Sequence, residues 1–285
     1  MPYLVPASLD AALRHLHDRQ PMVVAGCTDV FPARRQGQGF GPVLDVAGLA
    51  ELRGITAEGA GWRIGAATTW AEIAAAKDLP PAFEALRQAA REVGAVQIQN
   101  AGTIAGNLCN ASPAADGVPP LLVLGAEVEL ASLSGRRRLA LADFITGVRR
   151  TARAPAELVV ALHLPPPPAG AGAAFVKLGT RSSLVISIAM VAALVQLKAG
   201  RIATARLAVG ACSPVARRLP EWEAALIGQR QEALAGLWPA PAHLAGLSPI
   251  DDMRATADYR RSAVRELCNR ALVQAAQAAA GGADD

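Results

Sequence analysis

The sequence predicts an α+β protein of two domains, a larger one ending near residue 165 and a smaller one from about residue 173. Three observations carry this reading. Short apolar runs of strand length are interleaved with stretches whose apolar residues recur at helical spacing. The run Pro165–Pro168, followed by Ala169-Gly170, cannot continue a sheet ladder and reads as a linker over 166–172. Finally, 285 residues, 52% apolar and 18% charged, are long enough for two packed cores and too apolar for disorder.

Taken in order, Ser8 precedes Leu9, Ala12, Leu13 and Leu16, an N-cap followed by one apolar helical face. His15 and His17 fall on the solvent side of that helix. Met22–Ala25 reads as a short buried strand, broken at once by Gly26, and Val43–Val46 and Trp62–Ala66 as two more. Thr68 or Thr69 caps a helix through Trp70, Ile73 and Ala74. A second helix over Pro81–Val93 buries Phe83, Leu86, Ala89, Ala90 and Val93, and Gly94 stops it. Strands are expected over Leu121–Leu130, Arg137–Leu141 and Glu157–Leu164, with Arg136-Arg137-Arg138 at the solvated tip of a hairpin beginning at Ser134-Gly135.

Past the linker, Ala174–Leu178 alternates like a strand, and Arg201–Ala211 is a strand closed by Cys212-Ser213-Pro214. The apolar segment Leu184–Leu197 is a strand or a buried helix; periodicity alone does not decide. Tyr259, Ala263, Val264, Leu267, Ala271 and Leu272 make the stripe of a C-terminal helix, and the final Gly281–Asp285 is expected to fray.

Several function classes fall away. Lys+Arg of 28 against Asp+Glu of 24 is a mild excess, and aromatics are only 4%, so no basic surface with interleaved aromatics points to nucleic acid. The cysteines stand singly at 27, 109, 212 and 268, without a C-x-x-C pair, so no zinc or iron–sulfur site is legible. Scattered thiols suit a reducing compartment. MPYLVPASLD lacks the basic and apolar regions of an export signal, and Leu184–Leu197 is too short for a membrane span, which leaves a cytoplasmic expectation. His15, His17, His163 and His243 are too scattered to nominate as catalysts, and no Ser-His-Asp pattern is present.

The stretch Gln97–Leu130 is different in character. Asn100, Gly102, Thr103, Gly106, Asn107, Asn110, Ser112 and Asp116 are threaded through small apolar residues. Glycines let a ligand approach the backbone, and short polar side chains supply hydrogen bonds. The stretch reads either as a binding loop or as a tight Gly/Asn turn cluster joining two core elements. Upstream, Met22–Ala25 runs into Gly26-Cys27-Thr28-Asp29. Successive N–H groups in such a turn converge on an anion, with Thr28 and Asp29 adding side-chain bonds. It is neither a Walker A loop nor G-x-G-x-x-G, and taken alone it is an ordinary strand–turn junction. Cys27 reads there as a small buried residue.

AGCTDV at 25–30, IQNAGTIAGNLCNASPAADGVPPLLVLGA at 98–126, KLGTR at 177–181 and DDMRATADYRR at 251–261 occur in an order that resembles one family. It is the FAD-binding (medium) subunit of molybdenum hydroxylases: the xanthine dehydrogenase, carbon monoxide dehydrogenase and aldehyde oxidoreductase group. The resemblance covers almost the whole chain. It implies a two-lobed FAD-binding domain at 1–165, with lobes of about 1–55 and 56–165. A smaller α+β domain, an antiparallel sheet with helices, would follow at 173–285. It also implies one non-covalent FAD. The first loop, Ala25, Gly26, Cys27, Thr28, Asp29 and Val30, would wrap the pyrophosphate. The second, through Thr103, Ala105, Gly106, Asn107, Ser112 and Asp116, would pass along the diphosphate, ribityl chain and ring. Lys177 would lie near the flavin, as the resemblance has it. A solvent-facing lysine at a strand end is the other reading, although choosing one of only three lysines in so arginine-rich a chain favours a compact point charge.

The same resemblance implies no catalytic side chain and no metal ligand on this chain. The 2Fe-2S clusters would sit on a small partner subunit and the molybdenum cofactor on a large one. Electrons would leave to NAD or another acceptor. Three departures stand out: Cys27 and Ala105 where relatives carry Gly, and Gln99 where they carry Arg. A negative φ at Cys27 or Ala105 leaves room for the ligand, whereas a positive φ is strained by roughly a kilocalorie or more. Two other classes remain open. A self-contained FAD oxidase would need a substrate domain larger than the segment after the linker, and a non-catalytic nucleotide-binding module would bind ADP tightly without flavin.

Overall fold

The computed structural model describes residues 2–33, 39, 41–182 and 184–281; the expected fraying beyond Gly281 lies outside them. The chain begins with β1 (Tyr3–Leu4) and α1 (Leu9–Arg19), then β2 (Met22–Val24) and β3 (Val43–Asp45). Ser8 caps α1 by accepting from the Ala11 N–H, and Leu9, Ala12, Leu13 and Leu16 are its buried face. The three strands form a parallel sheet in the order β1-β3-β2, so the segment after β2 leaves from a carboxyl edge.

Next come β4 (Ile55–Glu58), β5 (Gly61–Gly65), α2 (Trp70–Ala75) and α3 (Glu84–Glu92), the last preceded by a 3-10 turn at Pro81–Phe83. Thr69 is the cap of α2, in a full capping box with Glu72. Gly94, just past α3, has φ +53°, the left-handed geometry that ends helices.

The stretch expected as one long binding loop is instead largely helical: α4 (Val96–Ala101), α5 (Ile104–Asn110) and α6 (Val118–Leu124). The strand expected over Leu121–Leu130 is therefore corrected. Every residue of α6 is buried, so its sequence shows no alternation to distinguish helix from strand. What decides is punctuation: Pro119 and Pro120 fit the first turn, and Gly125 at φ +73° closes the helix. The strand proper is β6 (Glu127–Ser132). It pairs with β7 (Gly135–Ala140), after which come α7 (Leu141–Phe144), β8 (Ile145–Gly147), β9 (Arg150–Thr151) and β10 (Leu158–Leu164). β4, β5, β10, β6 and β7 make an antiparallel sheet in that order, with β10 buried throughout. Arg136, Arg137 and Arg138 are not at the hairpin tip but along the exposed edge strand β7, where cations discourage edge-to-edge pairing. Arg137 forks onto Glu157 at 2.6 and 2.8 Å.

The connection through Pro165–Pro168 has no regular structure. It leads to β11 (Gly172–Leu178), β12 (Ala189–Lys198), β13 (Arg201–Gly210), β14 (Arg217–Arg218), α8 (Pro220–Leu226) and the long α9 (Ala257–Gly281). The four strands form an antiparallel sheet in sequence order. The ambiguous apolar segment is the strand β12, and its faces explain the ambiguity. Ala189, Val191, Ala193 and Val195 join the core under α9, while Met190, Ala192 and Leu194 join the core of the preceding domain. A strand buried on both sides shows no period of two. α9 crosses so near β11 that a Cβ at Gly172 would stand 2.3 Å from the Ala279 nitrogen. Val264, Leu267, Ala271 and Leu272 are buried on α9, but Tyr259, expected on that stripe, is 52% exposed. No helix of the described residues is long and apolar enough to cross a membrane.

Candidate functional site

Two backbones touch where the turn after β2 meets the corner between α4 and α5. After β2 the chain turns at Gly26, where a Cβ would lie 1.8 Å from the Ala101 carbonyl oxygen and 2.4 Å from its carbon. Gly26 is required by this contact and not by its φ, which is not in the left-handed region. On the facing side, a Cβ at Gly102 would meet the Ile98 carbonyl oxygen at 2.9 Å and Thr28 Oγ1 at 3.4 Å. The parallel sheet and the α4–α5 corner are thus pressed together glycine against backbone.

The corner is fixed from behind. Trp70, fully buried, donates its N–H to the Gly102 carbonyl at 3.1 Å. Thr103 caps α5 by accepting from the Gly106 N–H. The Ile104 and Ala105 N–H groups donate to the Thr68 and Ala66 carbonyls at 3.0 and 3.1 Å, and Asn107 donates to the Thr103 carbonyl. All four leading N–H groups of α5 therefore have protein partners. On the other segment, by contrast, no acceptor among the described residues takes the backbone N–H of Gly26, Cys27, Thr28 or Asp29. Unmet donors at the carboxyl edge of a parallel strand are the ingredients of an anion-binding turn.

Between the two segments lies a cleft of about 630 Å³. Of the residues nominated from sequence, Ala25, Gly26, Cys27, Thr28, Asp29, Val30, Thr103, Gly106, Asn107 and Ser112 line it. Asn107 Oδ1 is buried and has no hydrogen-bond partner among the described residues. An acceptor left so costs about 1–3 kcal/mol, and a ligand donor would offset it. Cys27 is only partly buried and has φ +57°, so the strained alternative holds at this position. Burial and the nearby Asp45 carboxylate push its thiol above the ordinary value, which keeps it neutral and a poor nucleophile.

Ala105, Asp116 and Lys177 stand elsewhere. Ala105 sits inside α5 with φ outside the left-handed region, and its methyl is packed in the core. Lys177 is not solvent-facing: its ammonium donates to Asp116 Oδ2 at 2.8 Å and to the Glu92 carbonyl at 3.1 Å, with the two side chains 6% and 11% exposed. Ser187 donates to the other Asp116 oxygen at 2.8 Å. Burial pushes the Asp116 carboxyl above its ordinary value, against the pull of Lys177. This triad ties the segment after α5 to β11, behind the cleft wall, and Lys177 borders a neighbouring hollow of about 470 Å³ with Arg91 and Arg181. The Gln99 side-chain amide donates to the Arg91 carbonyl at 2.9 Å.

Sequence reasoning missed Trp70, Cys109, Arg149 and Ile186 in the cleft wall, and it noted Asn110 in the polar stretch without nominating it for the site. Cys109 and Asn110 lie three and four residues after Gly106, so reading 103–110 as a helix would have placed them on its face. Arg149 sits in the β8–β9 turn, where nothing in the pattern marks it.

Comparison with known proteins agrees with this architecture. The family described as FAD binding domain in molybdopterin dehydrogenase matches residues 1–167, and the CO dehydrogenase flavoprotein C-terminal domain matches 174–275. The chain is 32% identical over 284 residues to the xanthine dehydrogenase FAD-binding subunit of Escherichia coli O157:H7, covering 96% of each. It is 30% identical over 280 residues to the nicotine 6-hydroxylase medium subunit of Paenarthrobacter nicotinovorans, again covering 96% of each. A chain of the reconstituted CO dehydrogenase from Oligotropha carboxidovorans superposes with a TM-score of 0.90 at 27% identity, covering 97% of this chain and 98% of that one.

Proposed function

Because the chain belongs to the FAD-binding (medium) subunits of the molybdenum hydroxylase family, we propose that it is the electron-transfer arm of such an enzyme. On this reading the cleft holds one FAD non-covalently. Electrons reach it from 2Fe-2S clusters of a small partner subunit and leave to NAD or another soluble acceptor. The molybdenum cofactor and the organic substrate belong to a large subunit, in a cytoplasmic heterotrimer of xanthine dehydrogenase type.

The observation that carries the reading is a set of unmet groups on residues of one cleft: N–H groups at 26–29 without an acceptor, and a buried Asn107 Oδ1 without a donor, among the described residues. Phosphate oxygens need the first, and hydroxyl or amide donors need the second. The volume of about 630 Å³ lies in the range of small-molecule sites. Bound there, FAD supplies the chemistry that links one-electron donors to a two-electron acceptor. The chain's own residues do the positioning. Gly26 and Gly102 bring two backbones close enough to grip a flat ligand, Trp70 holds the corner rigid, and the Asp116–Lys177–Ser187 triad holds the wall behind it. All four cysteines are free thiols, Cys27 and Cys109 in the cleft and Cys212 and Cys268 in the C-terminal core, and no group of three or more metal-ligating side chains stands together among the described residues, which supports a reading with the clusters on a partner.

Turnover tests the division of labour. Mixed with its small and large partner subunits, the chain is expected to show substrate-dependent bleaching of both flavin and cluster absorbance. Alone, it is expected to show none. Flavin reduction by an organic substrate at a catalytic rate, with no other protein present, would overturn the subunit reading in favour of a self-contained oxidase.

A further inference from the structure

The leading N–H groups of α5 are all taken by protein acceptors, so the charge of a bound diphosphate must be met elsewhere in the cleft. The turn at 26–29 offers dipoles but no cation, and its own Asp29 is acidic. Among the described residues that line the cleft, the only basic side chain is Arg149.

Arg149 is held in an unusual way. It lies in the two-residue turn between β8 and β9, flanked by the paired residues Gly147 and Arg150. Its φ of +58° is a geometry that such turns normally give to Gly, Asn or Asp. Its backbone N–H donates to the Ala111 carbonyl at 2.9 Å. One guanidinium nitrogen, Nη1, donates to the Asn110 carbonyl at 3.1 Å and to the Asn110 side-chain oxygen. The residue is thereby fastened at two points to the end of α5, yet it remains exposed and pairs with no carboxylate among the described residues. Nη2 and Nε have no partner there. A guanidinium anchored through one nitrogen and open through the others is pre-organised for a phosphate group, which it can meet with a parallel pair of N–H donors.

We propose that Arg149 is a phosphate-binding residue of the cleft, presenting its free N–H groups to the diphosphate of a dinucleotide. The inference rests on the reading of the cleft as a dinucleotide site. Two sources carry the same chemistry, the diphosphate of the flavin dinucleotide itself and that of a nicotinamide dinucleotide acceptor, and one experiment separates them.

The full chain is purified as wild type, Arg149→Gln and Arg149→Lys. Gln keeps an amide donor for the Asn110 carbonyl and removes the charge; Lys keeps the charge and loses the fork. Two quantities are measured at low and high salt: the FAD affinity of the stripped protein, and the KM and kcat for NADH with an artificial dye as oxidant. Arg149→Gln is expected to weaken one of the two by tenfold or more and to flatten its salt dependence, with Arg149→Lys recovering much of the loss. A change in FAD affinity assigns the residue to the flavin's diphosphate. Normal FAD affinity with a raised KM and unchanged kcat assigns it to the acceptor. If the wild type shows no NADH turnover, the FAD arm alone decides. Unchanged FAD affinity and KM in Arg149→Gln would overturn the proposal. So would equal losses in the Gln and Lys variants with no change in salt slope, the signature of a merely structural cap. A wild type that binds no FAD at all would instead refute the reading on which the inference rests.

Discussion

Gly26→Ala probes the joint on which the cleft depends. The added methyl carbon would stand 1.8 Å from the Ala101 oxygen and 2.9 Å from the Gly102 nitrogen. Ordinary carbon contacts begin near 3.5 Å, so the two backbones must part by well over about 1 Å. Neither side is a flexible side-chain end that can swing away. Ala101 and Gly102 are pinned by the bond from Gly102 N–H to the Ile98 carbonyl at 2.7 Å and by the bond from Trp70. Forcing such a contact costs about 1–3 kcal/mol, and for a chain of this size about 2–4 °C of Tm per kcal/mol. The variant is therefore expected to melt about 5 °C lower and to lose most of its flavin, read as visible absorbance relative to protein absorbance. Because α5 and the turn at 26–29 would separate, flavin loss should exceed what the stability change alone produces. A variant with wild-type flavin content and melting temperature would refute the claim that this backbone contact shapes the site.

Further outcomes follow from the same geometry. Cys27→Gly should raise stability by up to about 1 kcal/mol, because glycine accepts φ +57° without the penalty an L side chain meets there; denaturant unfolding reads it directly. Gly106→Val should weaken FAD retention at least tenfold, since its Cβ already meets the capping Thr103 Oγ1 at 2.9 Å and its branches enter the cleft, while Arg137→Ala on the edge strand should leave retention unchanged. Lys177→Met should destabilise the chain by about 3 kcal/mol at pH 7 by stranding a buried carboxylate. Asp116 already has its carboxyl raised by burial, so the stability it contributes is complete below the ordinary carboxylate value and is lost as pH rises through the folded one. The Lys177→Met defect should accordingly shrink toward acid pH. Asp252 behaves oppositely. Against the effect of burial, hydrogen bonds from the Arg254 backbone, Arg260 and the Ala255 backbone hold it down to about 2. Its contribution is present above the ordinary value and is lost as pH falls toward 2, so Asp252→Asn should flatten the acid limb of the unfolding profile.

What could be read from the chain, and what could not, has a physical pattern. Residues with local reasons were legible: Ser8 and Thr69 cap helices with their own side chains, and Gly94 turns because its φ demands it. Elements whose surroundings are uniformly apolar were not. α6 and the stretch of β12 from Ala189 to Val195 are buried on every side, so no contrast in polarity marked their period, and only Pro119, Pro120 and Gly125 carried the information that α6 is helical. In the cleft, the glycines were legible as places of close approach, but not what they approach. That Gly26 rests on Ala101 is a fact of tertiary contact between distant segments. The Asp116–Lys177 pair was nominated residue by residue through family resemblance, and no local pattern foretold that the two would meet across the joint between the domains. Arg149 was invisible for a similar reason, since its position comes from a hairpin turn folding back onto the end of α5.

The central claim is that the cleft between the 25–30 turn and α5 holds one non-covalent FAD, and the flavin content of the purified chain tests it most directly. Acid precipitation of the holoprotein should leave the yellow chromophore in the supernatant. Chromatography should identify it as FAD, at one per chain within error. Flavin remaining in the pellet, FMN in place of FAD, or a colourless protein that takes up no FAD on reconstitution would contradict it.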